Sequence, residues 1–259
     1  MAGTMLKIDI RRGKILDRLR RDGAVSVSHL ASELGATPVT IRSDLDALEK
    51  DGYLVRVQGG AVRKPNAAGN TFFSDGSVER LEEKQCIAKT VASYIHDGDT
   101  LFVNSGTTMQ IVAAGLCEHK SLNIVTNSLA VAVEMGKVPT FRVILLGGEI
   151  NAQYGFTHGN DAQEQLSHYQ ADWAVLALDG ISAANGMTTY HAEEAAINRM
   201  MIAQAKNVML AADHSKIGKV GFFRFCDTNP GIHLVTDENA DAEPIERLKA
   251  RGVLVDLAK

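Results

Sequence analysis

Residues 25–62 read VSVSHLASELGATPVTIRSDLDALEKDGYLVRVQGGAV. A short amphipathic stretch, Val27–Leu34, places Leu30, Ala31 and Leu34 on one helical face. Gly35-Ala36-Thr37 follows as a tight turn. Thr37 is suited to cap a helix, and Pro38 to its first position, where a missing N–H costs nothing. Over Val39–Lys50, Ile41, Leu45 and Leu48 recur at i, i+4 and i+7, which predicts a helix packed through that face. Thr40, Arg42 and Ser43 then point outward near its amino end, where a recognition helix meets base edges. Arginine makes paired bonds to guanine, and Thr and Ser reach bases or phosphates. Asp51-Gly52 ends the helix. Tyr53–Val62 alternates apolar with polar residues and turns at Gly59-Gly60, which predicts a small β-wing. From it Arg56 and Gln58 would touch the DNA backbone or minor groove.

Upstream, Ile8, Ile15, Leu16 and Leu19 keep near-helical spacing up to Asp22-Gly23. Arg11, Arg12, Lys14, Arg18, Arg20 and Arg21 crowd the same stretch. The chain as a whole carries a net charge of −4. Residues 1–64 hold 12 Lys/Arg against 8 Asp/Glu, a net of +4, so the remainder carries −8. A basic block of this size attracts phosphate backbones. A charge cluster alone is equally a solvated helix face, and three short helices alone are equally a structural bundle. The ordered set is what separates a DNA reader from both.

The 259 residues suit two domains, 1–62 and 78–259. Between them, RKPNAAGNTFFSDGS at 63–77 reads as a linker, with Phe72 and Phe73 docked onto one domain. Cys86, Cys117 and Cys226 lie far apart and form no CxxC pair, which argues against a disulfide framework or zinc cluster. The eight histidines show no metal-ligand spacing, so no metal and no cofactor is expected. No apolar run is membrane length, and the amino terminus has no signal-peptide core. A soluble cytoplasmic protein is expected.

From Val78 onward, apolar strand-like runs alternate with helices: TLFVN at 100–104, LNIVT at 122–126, Phe141–Leu146, Trp173–Leu178, Asn207–Ala212, Ile232–Thr236 and Val253–Asp256. This pattern predicts an α/β domain with a mainly parallel sheet covered on both faces. Polar residues just past such strands gather into one crevice. Here they are Asn104-Ser105-Gly106-Thr107-Thr108, Thr126-Asn127, Gly147-Gly148, Asp179-Gly180 and Asp213-His214-Ser215-Lys216. A Ser-Gly-Thr-Thr turn that opens a helix offers N–H groups, hydroxyls and a positive dipole end to a phosphate or carboxylate. One such turn is equally a well-capped βα connection; five polar strand ends favour a site.

VSV at 25–27, TIRSDLDALEKDG at 40–52 and the Gly-Gly-Ala close resemble the amino-terminal domain of the DeoR family of bacterial transcriptional regulators. Glu83-Lys84, NSGTT at 104–108, TNS at 126–128, LGG at 146–148, DGI at 179–181, Glu193-Glu194 and ADHSKIG at 212–218 resemble that family's carboxyl-terminal domain. The resemblance implies a winged helix-turn-helix followed by a sensor domain similar in fold to sugar-phosphate isomerases. It implies a phosphorylated sugar or related metabolite as effector. Ser105, Gly106, Thr107 and Thr108 would then hold the anion, with charge from Lys216 and Lys84. Asp179, Glu193, Glu194, Asn127 and Asn104 would bond ligand hydroxyls, beside Gly148. The chain departs from the family pattern at Ser43, Gln58, Asn104 and Asn198. Asn104 replaces an acceptor-only Asp, which would alter the ligand's hydroxyl pattern, and Asn198 reads as a surface change. Singly, each residue has a plainer reading. Lys84 reads first as a solvated lysine, Lys216 as a loop lysine, Asp179 as a turn cap, and the two glutamates as dipole partners of their helix.

The function expected is a non-enzymatic DNA-binding regulator, a repressor of a carbohydrate-catabolism operon. Its partners would be operator DNA and a phosphorylated sugar, and it would act as a dimer or tetramer. The alternative is a sugar-phosphate isomerase-like enzyme with an accessory amino-terminal domain, using Asp179, Glu193 and Lys216 as acid/base groups. A third reading is a protein-interaction module with an acidic partner.

Overall fold

A computed structural model of the chain describes residues 7–22, 24–50, 53–63, 80–152 and 154–259. Two compact units divide it, one within residues 1–70 and one within 71–259. The expected linker at 63–77 lies outside the described residues except for Arg63, as do Phe72, Phe73 and the Gly23 and Asp51-Gly52 helix stops.

The first unit runs α1 (Lys7–Asp22), β1 (Ala24–Ser26), α2 (Val27–Leu34), α3 (Pro38–Lys50), β2 (Leu54–Val57), β3 (Gly60–Arg63). Ile15, Leu16, Leu19, Leu30, Ile41, Leu45 and Leu48 are buried, so the three helices close around one apolar core. Ser26 caps α2 by accepting from His29 N at 3.2 Å, and Gly35 ends it in the left-handed region at φ 59. The wing is three-stranded, in the order β1-β3-β2. Its turn falls at Gln58-Gly59, one residue earlier than expected. The reason is steric: a Cβ on Gly60 would lie 2.0 Å from Val25 O, so Gly60 is needed inside β3 where β1 crosses it closely.

The Asp44 carboxylate, 1% exposed, locks α3 to α1. It accepts from Arg11 Nε through one oxygen and from Arg12 Nε at 3.1 Å through the other. Arg18 in turn lies against His29 and Glu33 of α2. Part of the basic block is therefore tied to the helices rather than offered to phosphates.

The second unit begins α4 (Leu81–Tyr94), β4 (Thr100–Val103), α5 (Thr107–Leu116), β5 (Asn123–Thr126), α6 (Leu129–Met135), β6 (Arg142–Leu145). It continues β7 (Glu149–Asn151), β8 (Phe156–His158), α7 (Asn160–Ser167), β9 (Ala171–Leu176), β10 (Gly180–Ser182), β11 (Gly186–Thr189), α8 (Ala192–Ala203) and β12 (Ala205–Ala211). A 3-10 turn (His214–Lys216), β13 (Phe223–Cys226), β14 (Ile232–Asp237), α9 (Ala242–Lys249) and β15 (Leu254–Ala258) complete it. Seven strands form one sheet in the order β15-β14-β12-β9-β4-β5-β6, and every pairing in it is parallel. Leu101 and Val103 pack with α4, α5 and α6 on one face, while Phe102 faces the core formed with α7, α8 and α9. The expected two-sided sheet is present. The β7–β8 hairpin and the antiparallel β10-β11-β13 sheet are additions beyond it.

Substituting Asp44→Ala should leave Arg11 and Arg12 without their shared acceptor. We expect the full chain to lose about 2 kcal/mol of stability in urea denaturation. An unchanged unfolding curve would show that the lock contributes nothing.

Candidate functional site

In the first unit, Thr37 Oγ1 accepts from Thr40 N at 3.1 Å and lies 2.8 Å from Thr40 Oγ1. Thr37 is therefore the cap of α3, and both hydroxyls are engaged there. Arg42 and Ser43 are exposed on the same turns of the helix. Arg56 is held to its own domain: Nε donates to Asp46 at 2.9 Å and Nη1 to Gly60 O at 2.6 Å. Its N–H donates to Glu49 at 2.6 Å. Gln58 is exposed at the tip of the wing.

In the second unit, the chain leaves β4 toward β5 and β6 on one side, and returns through β9, β12, β14 and β15 on the other. The strand order reverses between β4 and β9, where α/β sheets open a ligand crevice at the strand carboxyl ends. The last ladder pair there is Val103–Val175. Beyond it, Asn104 extends the contact with its side chain. Its Oδ1 accepts from Ala177 N at 2.8 Å, and its Nδ2 donates to Ala177 O at 2.9 Å and Asn198 Oδ1 at 3.1 Å. An Asp carboxylate only accepts and has no N–H to give Ala177 O. Both Asn104 and Asn198 are fully buried. The expectation that Asn198 is a surface change is therefore wrong. Asn104 spends its amide inside the protein rather than on a ligand hydroxyl.

The Ser-Gly-Thr-Thr loop follows directly. Gly106 caps α5 at φ 127, a conformation that favours glycine. The first turn of α5 leaves N–H groups without intrahelical acceptors. Thr107 is exposed, Thr108 and Ser105 are buried. Lys84 of α4 donates from Nζ to Thr107 Oγ1 at 3.0 Å and is only 6% exposed, so it is not the solvated lysine first expected. Its Nζ is 4.0 Å from Asp213 Oδ2, and Arg80 Nε is 3.8 Å from Asp213 Oδ1. Burial pushes the Asp213 carboxyl up, but the Ser215 hydroxyl bond and the charges of Lys216 and Lys84 outweigh it, and its pKa is lowered. Lys216 stands in the 3-10 turn that Asp213 caps.

On the other side of the loop, Ser105 Oγ donates to Glu194 Oε1 at 3.1 Å. Thr189 Oγ1 lies 2.9 Å from Asp179 Oδ2 and in short contact with Glu194 Oε2. One hydroxyl hydrogen serves only one of two acceptors. For both contacts to be hydrogen bonds, one carboxyl must carry a proton. Burial, then the neighbouring Asp179 charge, raises the Glu194 pKa to about 7 against the Thr189 and Ser105 hydrogen bonds, so below that pH Glu194 is that group. Glu193 is exposed and adds only its charge. Tyr190 N donates to Asp179 at 2.9 Å and fixes it.

These contacts join Asp179, Thr189, Glu194, Ser105, Gly106, Thr107, Lys84, Asp213 and Lys216 into one continuous cluster. Asn127 and Gly148 belong to the hairpin side. Asn127 Nδ2 donates to Thr157 O at 3.1 Å, while its buried Oδ1 has no hydrogen-bond partner. Gly148, at φ 125, lets the hairpin close in: a Cβ there would meet His158 O at 2.4 Å. Thr189, Arg80 and the carboxylate of Asp213 were missed as site residues. Thr189 ends the four-residue strand Gly-Met-Thr-Thr, and its sequence carries no signal beyond the Thr188-Thr189 pair. Among the described residues, no group of His, Cys, Asp and Glu could hold a metal ion, and no helix is long and apolar enough to cross a membrane.

The folded pKa of Glu194 lies above its unfolded value of 4.5. Between those values the unfolded chain has released a proton that the folded chain keeps. Stability from this group therefore falls as pH rises from about 4.5 to 7. Substituting Glu194→Gln keeps the neutral shape and removes the titration. Its Tm relative to the unsubstituted protein should rise steadily between pH 5 and 8. Parallel Tm profiles would show that Glu194 is already ionised at low pH.

The DeoR C terminal sensor domain profile matches residues 79–238, and the DeoR-like helix-turn-helix domain profile residues 11–66. The glycerol-3-phosphate regulon repressor of Escherichia coli K12 is 35% identical over 209 residues, 81% of this chain and 82% of that one. The transcriptional repressor CsqR of the same organism is 32% identical over 249 residues, 96% and 95% of the two chains. The transcriptional repressor GlcR of Bacillus subtilis 168 is 32% identical over 240 residues, 92% of each. Ribose 5-phosphate isomerase A of Methanocaldococcus jannaschii aligns at 12% identity with a TM-score of 0.40, over 53% of this chain and 55% of that one. With a helix-turn-helix domain ahead of a sensor domain, and relatives alike along nearly their whole length, the chain belongs to the DeoR family of transcriptional regulators.

Proposed function

We propose that this chain represses a carbohydrate-catabolism operon by binding operator DNA, and that a phosphorylated sugar or related anionic metabolite releases it. The observation that carries the effector half is the buried Lys84 ammonium on Thr107, in the first turn of α5 at the sheet's switch point. A buried cation beside free helix N–H groups and hydroxyls favours an anion. Ser105, Gly106, Thr107 and Thr108 would cradle it, with Lys84 and Lys216 supplying charge. Across the loop, Asp179 and Glu194 offer acceptors to hydroxyls, and Asn127 offers its open Oδ1. A ligand with an anionic end and a hydroxyl-bearing end matches that division. Asn104 acts from behind by holding the loop, Gly148 by shaping the wall, and Glu193 by charge alone. The names of the relatives, among them a glycerol-3-phosphate regulon repressor, support both the repressor role and the ligand class.

For DNA, Arg42 and Ser43 are the base readers and Gln58 the wing contact. Thr37 and Thr40 set the helix end. Arg56 mainly braces the wing, with guanidinium hydrogens to spare for phosphate. Such a reader works as a dimer or tetramer on a two-fold operator in the cytoplasm. The effector releases it through unequal affinity for the bound and released states. The cluster binds its ligand and does not turn it over.

A gel-shift with DNA upstream of the protein's own gene should show specific, salt-sensitive binding that a sugar phosphate relieves. Thr107→Glu should keep DNA binding and lose that response. Arg42→Ala should weaken specific binding by about 1–3 kcal/mol. Turnover of a sugar phosphate by protein that ignores DNA would overturn the proposal.

A further inference from the structure

Val39 is 72% exposed, the highest value among the described large apolar side chains. It stands in the first turn of α3, directly after Pro38. At roughly 100° per residue, the buried Ile41, Asp44, Leu45 and Leu48 lie together on one side of the helix. Val39 falls almost opposite the centre of that side, with Arg42 and Ser43 flanking it. Thr40 sits further round, and its hydroxyl is engaged with Thr37.

Among the described residues, nothing accounts for a valine there. It packs against no core, it caps nothing, and its branched Cβ makes it a poor helix former. Its first turn holds no acidic residue either. The major groove displays one apolar group, the 5-methyl of thymine. We propose that Val39 reads a thymine methyl in the operator, beside the base contacted by Arg42. This rests on α3 being the recognition helix.

The experiment uses the full chain and a duplex enriched by it from a randomised pool. Each thymine is replaced in turn by deoxyuridine, which lacks only the 5-methyl. The unsubstituted protein should lose about fourfold affinity at one thymine per half-site, the worth of one buried methyl group. Val39→Ala should bind the parent duplex more weakly by at least that factor and show no further loss at the same position. Being exposed, the substitution should leave the circular dichroism spectrum unchanged. Indifference of the unsubstituted protein to every deoxyuridine, or an undiminished loss in Val39→Ala, overturns the assignment. Failure to enrich any duplex overturns the recognition-helix reading itself, and Val39 with it.

Discussion

Where β4 and β9 separate, a single amide carries on the work of the ladder. The backbone has stopped pairing after Val103 and Val175, yet Ala177 still has its N–H and C=O satisfied by Asn104. That side-chain bridge sets the distance between two strand ends. It therefore sets where the Ser105–Thr108 loop starts and how far it stands from Asp179. Buried polar groups that are fully bonded specify one arrangement strongly, because every alternative strands a donor or an acceptor. The second bond, to Asn198 Oδ1, ties α8 to the same bridge, while Asn198 Nδ2 is buried without a hydrogen-bond partner. Glu194, one turn earlier on that helix, is thereby presented to Ser105 and Thr189.

The cluster is consequently polarised. Lys84, Lys216 and the first turn of α5 lie toward one side, with the Asp213 carboxylate beside the two lysines, and Asp179 and Glu194 lie toward the other. The acidic background of the chain makes this division matter. With 31 acidic against 27 basic side chains overall, an anion is drawn only by local groups. Below about pH 7 the protonated Glu194 reduces the negative charge next to the Ser105–Thr108 loop. Burial and the Asp179 charge favour the protonated form, while the hydrogen bonds from Thr189 and Ser105 favour the carboxylate and hold the pKa near 7.

The helices of the first unit and the strand ends of the second were legible because their signals are local. Thr37-Pro38, the Ile41/Leu45/Leu48 spacing and the Ser-Gly-Thr-Thr turn each declare themselves within a few residues. What escaped depends on distant partners. Lys84 looks solvated until Asp213, 129 positions later, comes beside it. Asn198 looks like a surface residue until Asn104 reaches it from another strand. Arg56 looks free for DNA until Asp46 claims it. The strands β1, β7, β8 and β10 escaped because three residues are too few to show alternation.

The wing is anchored along both its strands. Val27 N donates to Gly59 O, β1 crosses Gly60 at backbone contact distance, and Arg56 grips Asp46 and Gly60. The hairpin thus moves with the helices as one caliper of fixed span. A duplex that took α3 as its recognition helix would have to present its next groove wall at that span. On the proposed reading, with α3 in the groove and Gln58 at its wall, groove width would be gauged along with base sequence.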